Sequence, residues 1–188
     1  MRLILGSKSP RRRELLAGLD IPFRIVDIDA DERWPEHLQG GDIPLYISRA
    51  KANAFCEPLA NDELLITADT IVWCDDQMLG KPTDADDARR MLRLLSGRTH
   101  QVYTGVTLRY ADGRFESFVD ATDVTFRCLT DDEISYYVDR YQPLDKAGAY
   151  GIQEWIGYVG CTALHGSYFN VMGLPVEQLY ERLKKATD

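Results

Sequence analysis

The chain has 188 residues, 45% hydrophobic and 28% charged, which are the proportions of a globular protein rather than a disordered one. Its 22 Lys and Arg against 30 Asp and Glu give a formal charge of −8, a balance that argues against a protein built to grip polymeric nucleic acid but leaves a small phosphate ligand open. The length fits one ordinary domain or two small, closely packed lobes, and it buries a core without help from disulfides.

The cysteines Cys56, Cys74, Cys128 and Cys161 form no Cys-x-x-Cys pair, so a zinc knuckle or dithiol redox motif is not supported and a reduced, cytoplasmic setting fits. The first apolar run, Leu3-Ile4-Leu5, is too short for a signal-peptide core. No segment approaches the length of a membrane span.

In chain order, Leu3 to Leu5 reads as a buried strand running into Gly6-Ser7-Lys8-Ser9. Ser9-Pro10 then starts a helix, with Ser as N-cap, Pro at the first helical position, and Leu15, Leu16 and Leu19 as the apolar face. Phe23 to Ile28 alternates as a strand does, 29–42 reads as an acidic surface loop, and Ile43 to Cys56 is helical in pattern. Leu64 to Ala68 is a buried strand ending at Asp69-Thr70, with Ile71 to Trp73 continuing past a kink. After the turn Asp75-Asp76, Thr83 is expected to cap a helix over 84–95. Two long strands, Gln101 to Tyr110 and Phe115 to Cys128, flank the turn Ala111-Asp112-Gly113. Thr130 to Glu133 is a capping box opening a helix with Ile134, Tyr137, Val138 and Tyr141 on one face. A Gly-rich stretch follows, and Pro175 starts a last helix with Val176, Leu179, Tyr180 and Leu183 inward. Strands alternating with helices around one long hairpin predict α/β architecture: a mixed, twisted central sheet flanked by helices, in one domain over 1–188.

Several segments carry candidate chemistry. At Gly6 to Arg13 a strand feeds a small-residue loop and a helix N-terminus, where free N–H groups and the helix dipole favour an anion. Ser7 and Ser9 can donate to phosphate oxygens, while Lys8, Arg11, Arg12 and Arg13 oppose the dipole unless something anionic compensates. The G-x-x-x-x-G-K-[ST] spacing is absent, and a solvated basic helix start would look the same. Asp69, expected where a strand ends, is placed to hold Mg²⁺ or take a proton from water, or else is a plain turn aspartate. Lys81, between Gly80 and Pro82, is a phosphate ligand or an exposed turn lysine. The acids Asp27, Asp29, Asp31 and Glu32 offer oxygen ligands to a cation or form a solvated loop. In 144–153, small residues let backbone approach a ligand, with Lys146 and Gln153 as its polar groups; an amide reads a base edge with a donor and an acceptor together. His37, His100 and His165 lack ligand spacing and read as structural or surface residues, and Ser167 has no G-x-S-x-G setting.

Taken together and in order, Gly6-Ser7-Lys8-Ser9-Pro10-Arg11-Arg12, Arg49-Ala50-Lys51-Ala52, Ala68-Asp69-Thr70, Gly80-Lys81-Pro82, Leu95-Ser96-Gly97 and the Asp145-to-Gln153 stretch resemble the Maf family of nucleoside triphosphate pyrophosphatases. The resemblance spans nearly the whole chain. It implies two lobes with a cleft between them, homodimers, and Mg²⁺ or Mn²⁺-dependent hydrolysis between the α and β phosphates of a nucleoside triphosphate. Asp69 falls on the family's proton acceptor, and Ser7, Arg12, Glu32, Lys51 and Lys81 fall on polar positions lining its cleft. Glu32 and Asp69 are the expected metal ligands, with Ser9, Arg11, Thr70, Lys146 and Gln153 among the substrate-binding residues. Arg11, Thr70 and Gln153 also mark the branch acting on dTTP and UTP; Glu154-Trp155 departs from the pattern, which has glycine after the glutamine. A competing reading is a regulatory protein that senses nucleotides, or binds a division partner, without chemistry. A metal-dependent phosphatase releasing orthophosphate is a third.

Overall fold

The run Leu3-Ile4-Leu5 lies inside β1 (Arg2–Gly6), and all three side chains are buried. The structure is a computed structural model that describes residues 1–186. β1 pairs in parallel with β2 (Phe23–Val26) on one side and β3 (Glu63–Cys74) on the other, with Leu5 opposite both Ile25 and Ile66. A strand with parallel neighbours on both edges is covered on both faces, which is why its sequence is a continuous apolar run rather than an alternating one. The crossovers are helical: α1 (Pro10–Ala17) joins β1 to β2, and α2 (Asp42–Ala54) lies between β2 and β3.

β3 continues through a tight turn into β4 (Gln77–Leu79), which pairs antiparallel with it. Asp75 and Asp76 both have positive φ (49° and 58°), as a two-residue hairpin turn requires. Then come α3 (Ala85–Leu95), the long hairpin β5 (Thr99–Tyr110) and β6 (Phe115–Phe126), and α4 (Asp131–Tyr141). The chain finishes with α5 (Trp155–Gly160), β7 (Cys161–His165), α6 (Tyr168–Met172) and α7 (Val176–Lys185). The seven-stranded sheet has the order β2-β1-β3-β5-β6-β7, with β4 attached to β3. It is mixed and carries helices, as the sequence pattern predicts.

The chain divides into two compact units. The first comprises Met1–Asp69, Thr104–Asp120 and the described residues from Gly173 on; one of its apolar clusters packs Ile4, Ala52, Phe55 and Leu65 together. The second comprises Thr70–Tyr103 and Ala121–Met172, and its core gathers Leu92, Leu95, Phe126, Tyr137 and Ile156 around the face of α3 and α4.

Four expectations need correction. β3 does not stop at Asp69 or kink after it: the strand runs unbroken from Glu63 to Cys74, so Asp69 and Thr70 are mid-strand residues. Asp84, not Thr83, caps α3 by accepting from the Asp87 amide, because it stands directly before the first helical residue. Tyr180 is exposed at the margin of α7, with the Lys184 ammonium over its ring. Finally, the Gly-rich stretch before Pro175 contains α5, β7 and α6, elements too short to show a period. The Thr130–Glu133 capping box forms as predicted, with both reciprocal bonds. Among the described residues no helix is long and apolar enough to cross a membrane.

Candidate active site

In the first unit, β1 delivers the chain to the start of α1. A Cβ on Gly6 would lie 2.4 Å from Ile28 Cδ1, so the strand must end in a residue without a side chain for Ile28 to pack there. The buried Ser7 turns its hydroxyl oxygen to accept from the Ser9 amide (3.2 Å), and Ser9 Oγ in turn accepts from the Arg12 amide (3.4 Å). The first turn of α1 contains no acidic residue to complement the dipole. Arg12 reaches back so that its Nε donates to the Gly173 carbonyl at 2.8 Å. Burial pushes this guanidinium below its ordinary pKa; Asp69 pulls it back up, Arg11 adds to the depression and Glu32 opposes it. Those causes place Arg11, Arg12, Glu32 and Asp69 in one electrostatic neighbourhood.

Lys51, in the last turn of α2, connects the two acids. Its ammonium donates to Asp69 Oδ1 at 2.7 Å and lies 2.9 Å from Glu32 Oε1. The Lys51 and Asp69 side chains are only 13% and 15% exposed, so this pair is screened far less than a surface ion pair, whereas Glu32 is 55% exposed. Ser7, Ser9, Arg11, Arg12, Glu32, Lys51 and Asp69 thus all belong to the first unit. The other acids of the 27–32 segment do not join this group in the same way. β2 ends at Val26, Asp27 faces Lys8 at 3.1 Å in solvent, and Asp31 is engaged by Arg33, which holds its carboxyl down at about 2.

Thr70, Lys81, Lys146 and Gln153 belong to the second unit. The Gly80 carbonyl, next to the exposed Lys81, accepts from the Gly148 amide at 3.0 Å. Gly148 has φ of 67°, and a Cβ there would sit 2.8 Å from Val72 Cγ2, so only glycine lets this turn dock against β3. Lys146 is buried, and its ammonium is held by Asp145 at 2.7 Å and Glu154 at 3.1 Å. The other Glu154 oxygen accepts from the Tyr137 hydroxyl, and that hydroxyl accepts from the Gly151 amide at 3.0 Å. Burial and the Glu154 carboxylate both raise the Tyr137 pKa, keeping the phenol protonated to donate. These bonds brace the chain on either side of Gln153, whose Oε1 is buried and finds no hydrogen-bond partner. A buried acceptor without a donor is costly.

Glu154 was visible in the sequence only as a departure, and Tyr137 only as an inward residue of α4. The missed signal is that an inward tyrosine hydroxyl requires a partner. His100 is structural, as its isolated position predicts: it is buried, its Nε2 lies 2.7 Å from the Tyr150 hydroxyl, and burial drives its pKa down to about 4.

The first unit can cradle phosphate oxygens at Ser7, Ser9 and Arg12 while a lysine and two carboxylates stand beside them. Among the described residues no cluster of three or more His, Cys, Asp or Glu is placed to hold a metal ion. Two carboxylates nonetheless suit Mg²⁺, which commonly takes one or two from the protein and the rest from substrate phosphates and water. The donor set therefore fits a cation that arrives with its substrate.

Comparison with known proteins supplies the lineage. A protein of Bacteroides thetaiotaomicron named dTTP/UTP pyrophosphatase is 53% identical over 98% of this chain and 95% of its own length. One of Phocaeicola vulgatus with the same name is 54% identical over the same shares, and one of Flavobacterium psychrophilum is 48% identical over 95% of this chain and 91% of its own. Among solved structures, the Staphylococcus aureus Ham1 protein is similar in fold, with a TM-score of 0.52 at 14% identity over 99% of this chain and 100% of that one. The family model described as "Maf-like protein" matches residues 2–186, and with that match the chain belongs to the Maf-like protein family.

Proposed function

We propose that the chain hydrolyses dTTP and UTP to the monophosphate and pyrophosphate. The observation that carries this reading is the Lys51 ammonium between Asp69 and Glu32, in the same unit as the Ser7–Ser9 helix start and Arg12. Asp69 takes a proton from water as the water oxygen bonds to the α-phosphorus. The bond from that phosphorus to the bridging oxygen breaks, and pyrophosphate leaves with the electron pair. General-base help of this kind is worth about 10²–10⁴ in rate. Ser7, Ser9 and Arg12 hold phosphate oxygens, and Lys51 and Lys81 stabilise the charge on the leaving pyrophosphate. Glu32 and Asp69 would hold a divalent cation, Mg²⁺ or Mn²⁺, which would offset the negative charge of the phosphates.

Base selection rests on Arg11, Thr70 and Gln153, with Lys146 binding alongside Gln153. Thymine and uracil carry an N–H at ring position 3 where cytosine carries an acceptor, and the amide of Gln153, with a donor and an acceptor, can tell the two apart. The relatives named dTTP/UTP pyrophosphatase support the same choice. The protein is expected to act as a cytoplasmic homodimer, which light scattering after gel filtration would check.

The test is a product assay with Mg²⁺ over dTTP, UTP, CTP, dATP, GTP and 7-methyl-GTP. Pyrophosphate released chiefly from dTTP and UTP is the expected result. Orthophosphate as the first product would make the protein a phosphatase, and tight binding without any product would make it a sensor.

A further inference from the structure

Lys51 and Asp69 lie on different elements, and what brings them together is a second pair beneath them. Thr67 is two residues before Asp69 on β3, so the two side chains share a sheet face. Ser48 is three residues before Lys51 on α2, one turn down the same side of the helix. Thr67 Oγ1 donates to the Ser48 carbonyl at 2.7 Å, one step below the 2.7 Å contact of Lys51 with Asp69.

Below this lies a chain of hydroxyls in which the donors can be counted. Ser48 Oγ donates its single proton to the Leu45 carbonyl at 2.8 Å, so in its 2.9 Å contact with Thr107 it accepts. Thr107 has then used its own proton, and it accepts from Ser117 Oγ at 2.9 Å. Ser48, Thr67 and Thr107 are fully buried, where apolar side chains would pack as well. A hydrogen bond is directional where apolar contact is not, so these hydroxyls fix the register of the helix rather than merely cover the sheet. Two further contacts fix the ends of α2. A Cβ on Gly105 would come within 2.4 Å of Leu45 N, so β5 and the first turn of the helix touch backbone to backbone. Arg109 Nη1 donates to the Ala52 and Phe55 carbonyls at 3.0 and 2.7 Å, holding the other end.

We propose that Thr67 is a positioning residue: its hydroxyl, bonded to the backbone of α2 at Ser48, sets the helix on the sheet so that the Lys51 ammonium stays on the Asp69 carboxylate. The inference rests on Lys51 and Asp69 being the reacting pair. A reactive group displaced by about 1 Å commonly costs on the order of 10²-fold in rate, so a slipped helix slows the chemical step without weakening capture of the nucleotide.

The experiment is T67V, which removes the hydroxyl and keeps the shape, beside T67S, which restores it. Single turnovers of dTTP are followed with enzyme in saturating excess, because an unfolded fraction does not change that rate constant. T67V is expected to lower the rate constant about thirtyfold with KM within about twofold of the parent, and T67S to stay within about threefold of the parent rate. An unchanged rate in T67V, or a T67S variant as slow as T67V, overturns the proposal. If T67V does not fold, T67A takes its place: it too removes the hydroxyl that bonds the Ser48 carbonyl and must slow turnover in the same sense, or the proposal fails. D69N is run alongside; if D69N retains full turnover, the reading of the reacting pair has failed, and a slow T67V would then have another cause.

Discussion

A lysine ammonium 2.7 Å from one carboxylate and 2.9 Å from another is balanced as it stands, and a triphosphate changes that balance. On the proposed reading, about four negative charges arriving beside Arg12 and Lys51 need a cation with them, and two nearby carboxylates would hold it. Asp69→Asn keeps the shape of the side chain and loses the base. The variant should bind dTTP with affinity close to that of the parent while turnover falls about 10²–10⁴-fold; equilibrium binding with a non-hydrolysable analogue, beside a pyrophosphate-release assay, separates the two. Gln153→Ala removes the buried, partnerless acceptor. Its kcat/KM for dTTP should fall about tenfold, the value of one well-made hydrogen bond, and its preference for dTTP over CTP should shrink. An unchanged preference would move base selection elsewhere. At this scale the sequence is legible where a signal is local, as at Ser9, whose hydroxyl caps α1 by accepting from the Arg12 amide. It is not legible at Glu154, whose partners Lys146 and Tyr137 are eight and 17 residues away and meet it only after folding.

Elements are held by groups that act well away from the chemistry, and His100 on β5 is one of them. It packs edge-on against Phe126 and Tyr150, and burial lowers its pKa from 6.5 to about 4. Between those two values the unfolded chain carries a proton that the folded chain does not. Stability from this residue is therefore complete above pH 6.5 and is lost as pH falls toward 4. The full difference is about 3 kcal/mol. Urea midpoints measured from pH 7 to 4.5 should fall more steeply in the parent than in His100→Asn, and parallel slopes would show that His100 is already protonated in the fold. Which elements could be read in advance follows from their length and setting. α3 and α4 show an apolar face over three turns, and β1 is apolar because it is covered on both sides. β3 misleads because a polar pair, Asp69-Thr70, interrupts its apolar run; a carboxylate at mid-length breaks the local rule that marks strand ends. α5 and α6, of six and five residues, are set by packing around glycines. Gly157 shows why: a Cβ there would meet the Ile152 carbonyl at 1.8 Å.

Over the whole molecule the formal charge is −8, yet the proposed substrate is itself strongly anionic. Attraction must then be local, and on the proposed reading Arg12 and Lys51 of the first unit supply it. The alternation of strands and helices made the α/β class legible from the chain, and the order of small motifs made the family legible. The sheet order was not, because β5 and β6 are neighbours in any hairpin but nothing local says that β5 lies beside β3. The central claim is that water attacks the α-phosphorus. Hydrolysis of dTTP in ¹⁸O-labelled water tests it directly, with the products separated and weighed by mass spectrometry. The account predicts one ¹⁸O atom in dTMP and none in pyrophosphate; label in the pyrophosphate would place the attack on the β-phosphorus and contradict it.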